Sequence, residues 1–253
     1  MNLVVIGPGR VGLSLLAAAK SAGVDAKAVG RGQELAAADI EGAAVLLCVP
    51  DSSIAHACAE VSKSGPRLVG HVSGATGLDA LAAAADTGAG TFSLHPLQTF
   101  PGPATDPRGI PCAVAGSGHE SATYASSLAD ALGMEPFEVP EEQRAAYHAA
   151  ASIASNFLVA LEEASVRLLD RAGIGDGRRL LTPLVLATAE NWSTGGGDAL
   201  TGPVARGDEA TVAAQRRAVE TTWPELVEAF DAMVALTRIV AEGRTGDDEA
   251  GSP

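Results

Sequence analysis

A chain of 253 residues, 47% of them hydrophobic, is long enough for one large domain or two modest ones, each with a real core. Its 17 Lys and Arg against 31 Asp and Glu give a formal net charge of −14, which repels nucleic acid and anionic membranes; neither is expected as a partner, and a small anionic substrate has to be held by local arginines. The three scattered cysteines, Cys48, Cys58 and Cys112, exclude a disulfide framework or a metal knuckle, and with no signal-peptide pattern or membrane-length apolar run a cytoplasmic protein without metal is expected.

The first predicted element is the apolar strand Leu3-Val4-Val5-Ile6, followed at once by Gly7-Pro8-Gly9-Arg10-Val11-Gly12 and the helical pattern of Val11 to Ala22. Strand, glycine turn and helix in this order read as a dinucleotide-binding fingerprint. Gly7 permits the sharp turn, Gly9 lets a pyrophosphate approach the backbone, and Gly12 lets helix and strand pack closely. The helix N-terminus adds free N–H groups and partial positive charge. At the end of the second predicted strand stands Arg31 rather than an acid, which favours the 2′-phosphate of NADP over the ribose hydroxyls of NAD.

Further strands are expected near 44–49, 67–73, 90–95, 111–116 and 135–139, alternating with helices near 53–63, 77–86 and 119–132. This is an α/β, doubly wound, mostly parallel sheet, and ligands in such sheets bind outside the carboxyl ends of the strands. Three of those ends carry polar residues: Val49-Pro50-Asp51, His71-Val72-Ser73-Gly74 and Leu94-His95-Pro96. Val49, Pro50, Asp51, Ser73, Gly74 and His95 therefore join Gly7, Pro8, Gly9, Arg10, Val11, Gly12 and Arg31 as expected cofactor-binding residues.

After Pro140 the strand signals stop and an all-α region begins: one long helix from Glu141 to Gly173, one over 178–192, a glycine-rich loop, a helix over 208–220, and a last helix capped by Thr222-Trp223-Pro224-Glu225. The expected division is a nucleotide-binding domain over 1–140, a helical substrate and dimerisation domain over 141–243, and a flexible tail over 244–253.

On the first of these helices Arg144, His148, Ser152 and Ser155 fall in a stripe roughly 80° wide at about 100° per residue, and nearly everything else around the circumference is apolar or alanine. A helix apolar all round is expected to be buried, and a buried polar line needs partners such as substrate or cofactor. His148 is the expected proton donor, with Ser152, Ser155 and Asn156 orienting the reacting group; His71 and His95 are its rivals. In the loop from Ser193 to Asp208, Arg206 is positioned to grip a carboxylate, as is Arg144, and Asp208 reads as the cap of the next helix.

These motifs, with Leu94-His95-Pro96-Leu97 and Phe100, Tyr147-His148-Ala149-Ala150, and Ala199-Leu200-Thr201-Gly202-Pro203 before Arg206-Gly207-Asp208, resemble a bacterial family of Rossmann-like proteins with a C-terminal helical domain of unknown function, DUF2520. That family looks like a branch of the 6-phosphogluconate dehydrogenase-like reductases, which include ketopantoate reductase, pyrroline-5-carboxylate reductase and the F420-dependent NADP oxidoreductases. The resemblance implies an NADP-dependent oxidoreductase that dimerises through its helical domain, with 2-dehydropantoate as the preferred substrate. Imine reduction, hydride exchange with a deazaflavin, and cofactor sensing without chemistry remain alternatives. One departure stands out: where the related reductases carry Lys followed four residues later by Asn, this chain has Arg144 and His148. Arginine stays protonated at neutral pH, so the proton must come from elsewhere.

Overall fold

The computed structural model describes residues 2–30 and 37–250 and divides into two compact units, Met1–Ser155 and Asn156–Pro253. In the first, β1 (Asn2–Ile6) leads into α1 (Arg10–Ser21), then β2 (Asp25–Val29), α2 (Ala37–Ile40) and β3 (Ala44–Leu47). A short 3₁₀ turn, Asp51–Ser53, opens α3 (Ile54–Ser62); β4 (Leu68–His71) follows, and a second 3₁₀ turn, Leu78–Leu81, opens α4 (Ala82–Asp86). The unit is completed by β5 (Gly90–Pro96), β6 (Pro111–Gly116), α5 (His119–Ala131), β7 (Glu135–Glu138) and α6 (Arg144–Ser152).

The strands form one seven-stranded sheet in the order β2-β1-β3-β4-β5-β6-β7. Every neighbouring pair is parallel except β5 and β6. Because both faces are covered, the central strands β1 and β3 are apolar at nearly every position. Leu3, Val5, Leu46, Leu68 and Leu94 pack on one face against Leu15 and Ala19 of α1 and Ala125 and Leu128 of α5. On the other, Val4, Val45, Leu47 and Val69 meet Ile40, Cys58, Val61 and Leu81. The seven strands follow the sequence expectation, and Cys58 and Cys112 are buried free thiols.

The second unit is helical. A π-helical turn, Ile153–Phe157, carries the chain from α6 into α7 (Leu158–Arg171); then come α8 (Gly177–Gly195), a 3₁₀ turn (Gly196–Ala199), α9 (Glu209–Thr222), a further 3₁₀ turn (Pro224–Leu226) and α10 (Val227–Ala250). Two expected boundaries move. The glycine-rich loop is shorter, because α8 continues through Ser193 and Thr194 to Gly195. The last helix is not capped by Thr222, which α9 retains; Trp223 takes the cap position without a side-chain hydrogen bond, and Pro224 occupies the first turn as expected. The helix then runs past Gly243 to Ala250, an extension that costs little once it has nucleated. Among the described residues no helix is long and apolar enough to cross a membrane.

The burial expected of the helix that starts at Arg144 does not extend to its end, and apolar side chains of the following helices are open as well. Phe157, Val159, Leu184, Leu186, Trp192 and Ile239 are each more than half exposed, whereas Val212 and Val219 are buried. The apolar faces are present as read, but one copy of the unit does not cover them.

Candidate functional site

The order of strands reverses direction between β1 and β3, the point at whose carboxyl edge α/β sheets bind their ligands. The fingerprint lies at this point. Gly7 adopts φ +89, and a Cβ there would come within 2.7 Å of the Cys48 carbonyl oxygen. A Cβ on Gly12 would lie 2.4 Å from the Gly7 carbonyl oxygen. Around Gly9, by contrast, a Cβ would meet nothing within 4 Å. So two glycines are demanded by the protein's own packing, and the third leaves an open approach to the backbone. No side chain caps the α1 N-terminus, whose first amides face that approach. A cradle of this kind fits the diphosphate of a dinucleotide. Arg10 is exposed beside it, and Arg31 lies outside the described residues.

Next along the edge comes the segment after β4, which is ordered by its own side chains. The Ser73 N–H donates to His71 Nδ1 at 3.2 Å, so the neutral ring carries its proton on Nε2, which faces the Gly77 carbonyl at 3.3 Å. Burial holds the His71 pKa below its usual value, with the nearby Arg144 charge acting in the same sense. Both ring nitrogens are thereby engaged within the segment. Ser73 Oγ accepts from the Ala75 and Thr76 N–H groups and donates to Thr76 Oγ1.

At the end of β5, His95 Nδ1 lies 2.7 Å from the Tyr147 hydroxyl. A Cβ on Gly74 would fall 2.7 Å from His95 Cε1, so the glycine backbone lies flat against the ring. The His148 ring stands at 6.3 Å from His95, edge to face. Burial, followed by the charges of His148 and Arg144, pushes the His95 pKa down to about 4, with Asp51 opposing. His95 is therefore neutral at physiological pH. Tyr147, which the stripe reading passed over because it is apolar over most of its surface, bridges α6 to the end of β5.

Arg144 behaves differently from its expected role as a carboxylate clamp. It is only 4% exposed; Nε donates to Glu141 Oε2 at 3.0 Å and Nη2 to Ser93 Oγ at 3.1 Å. This anchoring keeps α6 with the sheet and moves the unit boundary from the expected residue 140 to Ser155. The stripe itself changes phase at its end. A π turn closes i→i+5 and rotates less per residue than an α turn, so Ser155 and Asn156, both inside Ile153–Phe157, no longer follow the 100° spacing that placed them. Ser152 ends α6, half-buried in the first unit. Asn156 and Arg206 belong to the second unit. There the exposed Arg206 lies in a turn closed by its own N–H to Gly202 O at 3.2 Å, and Asp208 caps α9 as expected by accepting from the Thr211 N–H at 3.0 Å.

The architecture is thus that of a Rossmann-like α/β domain followed by a helical unit. The chain belongs to the family described as a domain of unknown function, DUF2520, whose model matches residues 110–237, and a Rossmann-like domain model matches residues 31–96. Among solved structures, the chain is similar to a protein from Thermotoga maritima at 25% identity, over 96% of this chain and 99% of that one, with a TM-score of 0.75. A candidate NADP oxidoreductase from Bacteroides fragilis shares 19% identity over 93% and 97% of the two chains, with a TM-score of 0.77. A pyrroline carboxylate reductase from Plasmodium falciparum, solved with NADP bound, shares 11% over 95% and 98%, with a TM-score of 0.59. No functionally curated protein matches the chain.

Proposed function

We propose that the protein is an NADPH-dependent reductase of a small substrate carrying a C=O or C=N bond. The observation that carries this reading is the open backbone at Gly9 between two glycines that packing requires, on the same unit as the His95, Tyr147 and His148 cluster. The similarity to a reductase that binds NADP, and to a candidate NADP oxidoreductase, supports the choice of cofactor. When bound, the reduced cofactor supplies a hydride to an electrophilic carbon. Gly7, Pro8, Gly9 and the α1 amides of Arg10, Val11 and Gly12 would hold its diphosphate. Val49, Pro50, Asp51, Ser73, Gly74 and His95 would line the remainder of the site. The protein's own task is to orient the substrate, exclude water and give a proton to the heteroatom that becomes negative.

Within this class a 2-oxo acid, with 2-dehydropantoate as the specific candidate, is our first reading, the carboxylate going to Arg206. Arg144, standing where related reductases carry Lys, favours the second reading, an imine of the pyrroline-carboxylate type. Such a substrate arrives protonated and asks less of the protein's acid, which suits a site without lysine. The exposed apolar faces of the second unit support assembly as a homodimer through that unit. The decisive experiment is NADPH oxidation with 2-dehydropantoate and with pyrroline-5-carboxylate, NADH serving as control cofactor. Turnover of the oxo acid supports the first reading and turnover of the imine the second. Failure to bind NADPH would refute both.

A further inference from the structure

Building on the reductase reading, we propose that Tyr147 is the catalytic acid, the group that gives its phenolic proton to the substrate heteroatom, and that His95 is its positioning partner. Three elements fix the phenol. His95 Nδ1 holds its oxygen from β5 at 2.7 Å, Phe137 of β7 packs edge to face on its ring at 6.0 Å, and its helix is tied to the sheet about one turn earlier by Arg144 on Ser93. His95 is itself immobilised by the Gly74 backbone against its imidazole. A general acid needs this kind of placement before it needs any particular pKa. Among the described residues no hydrogen bond restrains the His148 ring, which touches the cluster only through its edge contact with His95.

The groups facing Tyr147 are His95 with its neighbour His148, Cys112 of β6, and Arg144 on α6. Burial, reinforced by Cys112 and opposed by Arg144, pushes the phenol up to about 12, so the proton is in place at neutral pH. The neutral His95 can present Nδ1–H to the phenolic oxygen and leave the O–H free to point at a substrate. In the step, as carbon gains the hydride that the bound reduced cofactor would supply, the π pair of C=X moves onto X, an X–H bond forms, and the Tyr147 O–H bond breaks. The phenolate left behind accepts a hydrogen bond from His95 Nδ1–H and regains its proton from water.

The chain contains two tyrosines, Tyr124 and Tyr147, so protein labelled with ¹³Cζ-tyrosine gives two signals that Tyr147→Phe assigns. In the cofactor-saturated protein, exchanging NADPH for NADP⁺ changes the charge of the nicotinamide, and the Tyr147 signal is expected to move while that of Tyr124 stays. With 2-dehydropantoate, whose oxygen must gain a proton, Tyr147→Phe should lower kcat about 100-fold with NADPH affinity kept within about twofold, and His148→Gln should lower it less than about tenfold; with pyrroline-5-carboxylate, which arrives protonated, the Tyr147→Phe loss should be smaller. His95→Gln should shift the alkaline limb of the pH–rate profile, an effect a merely structural residue would not produce. A Tyr147 signal indifferent to the cofactor's charge, or a Tyr147→Phe enzyme with full kcat, overturns the proposal. Failure to saturate with NADPH instead overturns the reductase reading beneath it and is seen before any tyrosine signal is compared.

Discussion

Replacing Gly9 and Gly12 separately by alanine tests whether the cradle is built for a ligand or merely for a turn. A methyl at Gly12 would lie 2.4 Å from the Gly7 carbonyl oxygen and 3.2 Å from Cys48 Cβ, contacts that neither backbone nor buried strand can relieve cheaply. Overpacking of this kind costs about 1–3 kcal/mol, and at about 2–4 °C per kcal/mol for a unit of this size melting should fall by several degrees. At Gly9 the same methyl meets nothing within 4 Å, and the backbone there, φ −78 and ψ −165, is open to any residue. Alanine at Gly9 should therefore leave melting unchanged or raise it slightly, since it restricts the unfolded chain by about 0.4–1 kcal/mol. If a diphosphate lies against that backbone, however, the methyl displaces it, and affinity for NADPH should drop at least about tenfold, or 1.4 kcal/mol. Thermal melting of the apo protein beside calorimetric titration with NADPH separates the two effects. A Gly9→Ala protein that binds NADPH as tightly as the original would refute the placement of the diphosphate.

Other consequences follow from the same geometry. Arg144→Met should destabilise the first unit by about 1–3 kcal/mol, because it strips Ser93, 1% exposed, of its partner; chemical denaturation would show it, and an unchanged midpoint would mean that the buried guanidinium contributes nothing. His95, ordinarily titrating at 6.5, is held to about 4 in the fold, so it stays neutral while the unfolded chain takes up a proton. Its contribution is complete above pH 6.5 and is lost as pH falls towards 4, by up to about 3 kcal/mol. Melting temperature followed across that interval should fall more steeply for the natural protein than for His95→Gln, and parallel curves would refute the shift. Light scattering should give twice the 25.3 kDa chain mass, and Leu186→Glu with Trp192→Glu should return the mass to that of one chain. A monomeric natural protein would leave those exposed side chains without the proposed partner.

The sheet was legible because its information is local and repetitive: each strand is a short apolar run bounded by glycine, proline or a polar end, and a strand covered on both faces tolerates little else. The roles of Gly7 and Gly12 were readable for the same reason, since the turn and the close packing they permit are properties of adjacent residues. What could not be read was anything set by partners distant in sequence. Arg144 reads as a free cation until Ser93, 51 positions earlier, is found against it. Tyr147 was hidden beside His148, although an aromatic carrying a hydroxyl amid alanines was a signal that one side of α6 meets something polar. The π turn was invisible because Ile-Ala-Ser-Asn-Phe is an ordinary helical composition; its effect on Ser155 and Asn156 appears only when the backbone is traced. In the second unit the apolar faces were legible, but which of their residues lie open in one copy, such as Leu184 and Trp192, depends on how the helices pack.

Because Tyr147 and His95 belong to the same unit as the glycine cradle, the proposed acid is positioned by the sheet, whereas Arg206 is carried by the other unit. The two functions should then separate under mutation. Arg206→Ala removes an exposed guanidinium whose proposed task is to hold the substrate carboxylate, a contact made in the ground state and the transition state alike. Loss of such uniform binding raises KM with little change in kcat. The expected result is a KM raised about tenfold or more, a kcat within about threefold of the original, and an unaltered ¹³Cζ response of Tyr147 to the cofactor. Should Arg206→Ala instead lower kcat while leaving KM alone, Arg206 would act on the developing charge rather than on the carboxylate. The carboxylate, which a 2-oxo acid and an imine of the pyrroline-carboxylate type share, would then need another anchor in either reading.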